Sequence, residues 1–214
     1  MKRRGLGTWI FVSAILVGAI GLSLGYDYLE RIGNLPVYGP KEEMDGVVVD
    51  FTVPEYRLVA QDGGVFSSNA IRGTVTVTNF FFTSCPSICP KMMRNLQSVH
   101  ELYRNDPQVA FVSMTVDPER DTPERLEHYA EMLNANTKSW RFLTGEKKEI
   151  YRLARNSFFV TASAGDGGNL DFIHSENLVL TDRQGRIRGY YNGLDESAME
   201  TLSGDILKLK NERS

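Results

Sequence analysis

Hydrophobic and polar positions along the chain follow two periods, and the switches between them outline an α/β domain. The stretch "TVTVTNFFF" (residues 74–82) is β-branched, then aromatic, and carries no charge, as expected of a central strand covered on both faces. "PKMMRNLQSVHELYRND" follows, with Met93, Leu96, Val99, Leu102 and Tyr103 at helical spacing. "VAFVSMTV" (109–116) predicts a second buried strand. "TPERLEHYAEMLNA" predicts a helix with Thr122 as N-cap and Pro123 at its first position. Arg125 stands where a full capping box has Glu or Gln, so the reciprocal bond is lacking. "WRFLT" and "EKKEIYRLARNSF" give a further strand and helix, and "NLVLTDRQGRIRGYY" a hairpin about D-R-Q-G. "ESAMETLSGDILKLKNE" closes the domain as a helix with Met199, Leu202, Ile206 and Leu207 on one face.

Upstream, "VVVDFTVPEYRLVA" is β-rich but broken by Pro54, which predicts one or two edge strands, and "QDGG" is a turn. The order β-α-β-α-β-α-β-β-α predicts a mixed sheet with helices on both faces, because parallel neighbours need helical crossovers. The chain shows no internal repeat. Its one long irregular stretch, "VTASAGDGGNLDF" (160–172), reads as a mobile loop.

The N-terminus follows a different pattern. Lys2, Arg3 and Arg4 precede "GLGTWIFVSAILVGAIGLSLGY", an uncharged run long enough to cross a bilayer as a helix. The basic end favours the cytoplasm, so the rest of the chain is expected outside it. The run exceeds a usual signal-peptide core and lacks a clear A-x-A site, which favours an uncleaved anchor over a cleaved signal. No cysteine is available there for lipidation. The expected organisation is a cytoplasmic end (1–4), a transmembrane anchor (5–26), a Pro- and Gly-containing tether (27–45) and one domain (46–214). The chain of 214 residues carries a formal charge of −3, and without its three N-terminal basic residues the remainder carries −6. An acidic exported part argues against nucleic acid as a partner.

The only two cysteines, Cys85 and Cys89, sit directly after the central strand, each followed by proline. As a staple they are poorly placed: closing a five-residue loop removes about 2 kcal/mol of unfolded-state entropy, against about 4.7 for a 100-residue loop. A residue before proline is biased to extended backbone, so both cysteines are expected outside the regular helix. Pro90 suits the first helical position, leaving Cys89 at or beside the N-cap, where the helix dipole lowers a thiol pKa. The strand–loop–helix placement puts both sulfurs at the carboxyl end of a sheet strand, where open α/β sheets build their sites. Two thiols at C-x-x-x-C spacing can chelate a soft ion such as Cu(I) or Zn, and can also form a disulfide.

Of the three histidines, His100 and His128 fall within predicted helices and are expected at the partly solvated surface. His174 ends the Gly-rich loop and starts a strand, from which its imidazole can reach other segments. The thioethers of Met92, Met93 and Met114 read as core packing.

The segments "TNFFFTSCPSICPKM", "VSMTVDPERDTPERL" and "DFIHSENLVLTDRQGRIRGYYNG", with the N-terminal anchor, cover essentially the whole chain, and in them it resembles the SCO/SenC family of membrane-anchored copper proteins. The resemblance implies a thioredoxin-like fold and one copper ion per chain, held by Cys85, Cys89 and His174. It implies assistance in assembling the dinuclear copper centre of cytochrome c oxidase subunit II, as a copper chaperone, as a thiol–disulfide reductase of the target's cysteines, or both. In the second role Cys85 and Cys89 would be a redox-active pair with no metal required. It further implies a bacterial inner-membrane protein with its soluble domain facing the periplasm or cell exterior, and another copper chaperone as a donor. Asp117 and Asp121 match the family's D-P-x-x-D-T-P segment, which assigns them to supporting the ligands or fixing the loop. The chain departs from the family where Phe172 and Ile173 separate Asp171 from His174, in place of an adjacent D-H-S. A peroxidase of the peroxiredoxin type is disfavoured, because Phe82 rather than threonine stands three residues before Cys85.

Overall fold

The computed structural model describes residues 34–44, 46–161, 173 and 175–212. The expected anchor (5–26), most of the expected mobile loop and His174 lie outside the described residues. Among the described residues no helix is long and apolar enough to cross a membrane. Contacts divide the chain into two units, Met1–Leu35 and Pro36–Ser214, and the second holds all the elements that follow.

Nine strands and four α-helices are described. The strands are β1 (Lys41–Met44), β2 (Val47–Asp50), β3 (Arg57–Ala60), β4 (Val65–Ser67), β5 (Val75–Phe81), β6 (Val109–Thr115), β7 (Trp140–Thr144), β8 (Asn177–Thr181) and β9 (Ile187–Asn192). The helices are α1 (Ile88–Tyr103), α2 (Pro123–Met132), α3 (Lys147–Arg152) and α4 (Glu196–Asn211). β1 and β2 form a separate hairpin, and the other strands form one sheet in the order β4-β3-β7-β6-β5-β8-β9. β5, β6 and β7 run parallel, with antiparallel pairs on both flanks. The mixed sheet is the one expected from the element order.

Every residue of β5 and β6 is buried, because helices or loops cover both faces. On one face His100 of α1 packs on Phe111 and Trp140, while Tyr129 of α2 packs on Phe81 and Phe142. On the other, Phe80 meets Phe158 beyond a π-helical turn (Leu153–Ser157) that continues α3, and Tyr56 joins them. The Thr122 cap and the proline at the first position of α2 are as expected, with Thr122 accepting from the Arg125 N–H.

Four local expectations change. β3 lies inside the sheet, since β4 covers its outer edge and takes the terminal place. Part of the expected tether is ordered strand: Lys41–Met44 pairs with β2, and Tyr38 bridges to Ile187. Leu102 and Leu207 share helical spacing with core residues but are 69% and 52% exposed, because each lies at the margin of its helix's apolar stripe. His100 is fully buried, because α1 lies flat on the aromatic face of the sheet, whereas His128 is exposed as expected.

A chain of buried polar groups crosses the sheet beneath α1. The Trp140 indole N–H donates to Ser113 Oγ at 2.9 Å, Ser113 Oγ donates to Asn79 Oδ1 at 2.6 Å, and Asn79 Nδ2 donates to the Met93 sulfur at 3.2 Å. Ser113→Ala orphans the indole donor and the Asn79 carbonyl together, so it is expected to cost about 1–3 kcal/mol in urea unfolding.

Burial pushes the His100 imidazole down to about 4, with Arg104 adding to this and Glu101 opposing it. Unfolded histidine titrates near ~6.5. Between these values the unfolded chain binds a proton that the folded chain refuses, so stability is full above about pH 6.5 and falls as the pH drops towards 4. The loss amounts to up to about 3 kcal/mol. Urea midpoints at pH 7.5 and pH 5 should diverge in the parent protein, and His100→Gln should remove most of that divergence.

Candidate metal centre

β5 ends at Phe81, and the chain turns through residues 82–87 into α1. This turn carries Cys85, and the first turn of α1 carries Cys89. The Cys85 N–H donates to the Phe82 carbonyl at 3.3 Å, closing the turn. Both cysteines are free and nearly enclosed, 7% and 3% exposed.

The start of α1 differs from the expectation. Its N-cap is Ser87, so Cys89 is the second helical residue and Pro90 the third. Proline is tolerated there because the first-turn N–H groups have no partner inside the helix anyway. The Ser87 side chain makes no capping bond. The Cys85 sulfur substitutes for it, accepting from the Cys89 N–H at 3.4 Å.

This geometry divides the two thiols. Burial works to raise Cys85, but the backbone N–H groups of Ser87, Cys89 and Ile88 outweigh it and lower its pKa below the ordinary thiol value. Burial pushes Cys89 up to about 12, and the neighbouring Cys85 and Asp121 add to the rise. The helix terminus therefore activates Cys85 and not Cys89, the reverse of what Pro90 suggested. The N–H groups converge on the sulfur outside the helix, whereas the sulfur inside the first turn is sealed by the core.

Asp117 and Asp121 have different roles. Asp121 is fully buried, and its Oδ2 accepts from the Thr83 N–H at 3.0 Å and from Thr115 Oγ1 at 2.5 Å. Its Oδ1 accepts from Thr83 Oγ1 at 2.5 Å and lies 3.7 Å from Arg125 Nε. Arg125 Nε also donates to Thr83 Oγ1 at 2.7 Å. Asp121 thus ties the segment two residues before Cys85 to the end of β6. Asp117 instead forms the turn after β6: its carbonyl accepts from the Arg120 and Asp121 N–H groups, and its carboxylate pairs with Arg120 at 3.8 Å. Burial raises the Asp117 pKa, against the pull of Arg120.

His174, Asp171 and Phe172 lie outside the described residues. On either side of His174, Ile173 is buried and the Ser175 hydroxyl donates to the Val160 carbonyl at 3.4 Å. One residue further on, the Glu176 carbonyl accepts from the Gly193 N–H at 2.8 Å, and the Gly193 carbonyl accepts from Asn95 of α1 at 2.9 Å. A Cβ at Gly193 would stand 2.6 Å from Met92 Cγ, so only glycine lets this corner reach the helix that carries Cys89. Among the described residues no group of three or more His, Cys, Asp or Glu is arranged to hold a metal. Met92, Met93 and Met114 are buried in the core, as expected.

Thr83, Thr115, Arg125 and Tyr129 surround this centre without having been assigned to it from the sequence. Burial holds the Tyr129 pKa high, and Cys89, Cys85 and Asp121 add to the rise. For Thr83 the available signal was its position two residues before Cys85. For the others it was only the D-P-x-x-D-T-P segment that Thr115 precedes and Arg125 and Tyr129 follow.

The SCO1/SenC family model matches residues 48–209. A SCO2-like protein of Rickettsia prowazekii is 30% identical over 201 residues, covering 90% of this chain and 92% of its own. BsSco, described as a member of the Sco family of cytochrome c oxidase assembly proteins with a disulfide switch, superposes with a TM-score of 0.65 at 27% identity, over 76% of this chain and 95% of its own. ScoI of Bradyrhizobium japonicum, solved with copper bound, superposes with a TM-score of 0.59 at 25% identity, over 74% of this chain and 99% of its own. These structures share the thioredoxin-like mixed sheet with flanking helices. The match spans β5, the cysteine turn, α1 and the D-P-x-x-D-T-P segment, and the protein belongs to the SCO1/SenC family.

Proposed function

We propose that this protein is a copper metallochaperone that assists assembly of the dinuclear copper centre of cytochrome c oxidase subunit II. One copper ion is the cargo, bound by the Cys85 and Cys89 thiolates and the His174 imidazole. The observation that carries this reading is a pair of free, buried thiols at the start of α1, with the Cys85 sulfur accepting from the Cys89 N–H. Two such sulfurs form a soft donor set, which favours Cu(I) over hard cations. Copper in the Bradyrhizobium relative supports the same cargo. The Gly193 corner, which ties Glu176 to α1 close to Met92, supports His174 as the third donor. In this reading the apolar N-terminal run anchors the chain in the bacterial inner membrane with the domain outside the cytoplasm. Its partners there are the copper target, a copper-donating chaperone and no nucleic acid.

The unequal thiols favour a second reading, a thiol–disulfide oxidoreductase acting on the target's cysteines. The Cys85 thiolate attacks the target disulfide and releases one target thiolate, leaving a mixed disulfide. Cys89 then loses its proton and displaces the second target thiolate. The Cys85–Cys89 disulfide forms, two electrons pass to the target, and an external thiol reductant restores the pair.

One experiment separates the two. Anaerobic Cu(I) titration of the reduced full chain in detergent should give one copper per chain, with binding abolished by Cys85→Ser or Cys89→Ser and weakened at least tenfold by His174→Ala. A stoichiometry near zero, or unchanged affinity in His174→Ala, would sink the three-ligand site. In a parallel assay on an oxidised copper-target protein, the oxidoreductase reading expects His174→Ala to stay active and either cysteine variant to be inactive. Reduction by both cysteine variants would end that reading.

A further inference from the structure

His128 and Met132 share one turn at the end of α2, on the face opposite its buried stripe of Leu126, Tyr129 and Ala130. The His128 side chain is 72% exposed and Met132 is 63% exposed. Met92, Met93, Met114 and Met199 are all buried, so core packing accounts for them and not for Met132. Residues at this spacing on a helix have Cβ atoms about 5–6 Å apart. Helical side chains also lean towards the N-terminus, which directs the Met132 thioether over the turn that carries His128. The rotatable bonds of methionine then let its sulfur and an imidazole nitrogen meet one ion. Glu131 lies 3.7 Å from His128 Nδ1, which leaves Nε2 as the donor nitrogen and gives the ring a carboxylate to orient it.

The turn is held in place from several sides. Asn134 has a left-handed φ of 47°; its N–H donates to the Glu131 carbonyl at 2.8 Å, and the Ala135 N–H donates to the Ala130 carbonyl at 3.0 Å. These two bonds form a Schellman stop. Gln97 of α1 donates to the Leu133 carbonyl at 2.7 Å. Arg104, just past α1, donates to the Asn134 carbonyl at 2.7 Å and shares its charge with Glu101 at 2.6 Å. The last turn of α2 carries no basic side chain, so the negative end of its dipole favours a bound cation.

We propose that His128 and Met132 form a second, solvent-facing site for a soft monovalent ion, Cu(I) in this protein, with Glu131 orienting the imidazole. One thioether and one imidazole are a neutral, soft donor pair, which suits Cu(I) and fits hard divalent cations poorly. The site is separate from the cysteine pair: Gln97, which meets the end of α2, stands about 12 Å along α1 from Cys89 at about 1.5 Å per residue. Two exposed donors hold an ion more weakly than two thiolates, so this site fills only in excess ion, after the thiol pair is saturated. A weak outer site of this kind suits first capture of copper on its way to buried thiols. That use rests on the proposed copper function, whereas binding at His128 and Met132 does not.

The test uses the full chain in detergent, carbon-13-labelled at the methionine methyls and histidine rings and titrated anaerobically with Cu(I). Ion added beyond the first equivalent should shift the Met132 methyl signal, identified by its absence in Met132→Leu, together with the His128 ring signals. His128→Ala and Met132→Leu should each weaken this second event about tenfold or more, since even the loss of a supporting contact costs a metal site about that much. Both variants should leave the first event and the urea midpoint unchanged, because both side chains are exposed. A Met132 signal that stays fixed in excess Cu(I), or that shifts equally in His128→Ala, overturns the inference. If the first event is missing and the Met132 and His128 signals still shift, the thiol site fails and this one stands. A first event without the second overturns this inference alone.

Discussion

The backbone N–H groups that open α1 need an acceptor, and the protein supplies the sulfur of Cys85 where a serine or threonine oxygen usually serves. Much of the centre follows from that contact. It requires the turn between β5 and α1 to be tight enough for residue 85 to reach back over residue 89. It places the second sulfur in the first helical turn, against the core, and it stabilises negative charge on the outer sulfur. Two chemically identical side chains thereby become a polarised thiol and a sealed one, through placement alone.

The sheet makes this contact rigid. β5 and β6 are buried along their whole length, so their carboxyl ends cannot shift without disturbing packing on both faces. The polar chain from Trp140 through Ser113 and Asn79 to Met93 holds α1 to the same strands. Asp121 completes the frame from the side, joining the segment before Cys85 to Thr115 at the end of β6. At the opposite corner, Gly193 brings the chain just after His174 against α1. Both sulfurs are thereby preset by the fold, one in a turn and one at a helix start. That arrangement suits transfer of an ion or of electrons to a partner.

Element order, the mixed sheet, the capped start of α2 and the place of Cys85 and Cys89 where β5 runs into α1 were all legible in the sequence. They depend on local chemistry: unbroken apolar runs, helical spacing, a Thr-Pro start and two thiols too close together to be a useful staple. The inward position of β3 was not legible, because a proline upstream of a strand says nothing about which strand later covers its edge. His100 was misplaced for a related reason. A polar residue at helical spacing looks solvated until the helix is laid flat on a sheet, and Phe111 and Trp140 then close over it.

By itself the sequence determined which groups could carry the chemistry, since only two thiols exist and their prolines confine them to the junction of a strand and a helix. Tertiary structure decided what each of them became. Helix register placed Cys89 in the first turn and Cys85 outside it, so converging N–H dipoles lower one pKa while core burial raises the other. Long-range packing set Asp121, 36 positions from Cys85, against Thr83, and left Asp117 to its own turn. Residue spacing carries no trace of that difference, because it arises where the ends of two parallel strands meet. Only the folded sheet brings them together.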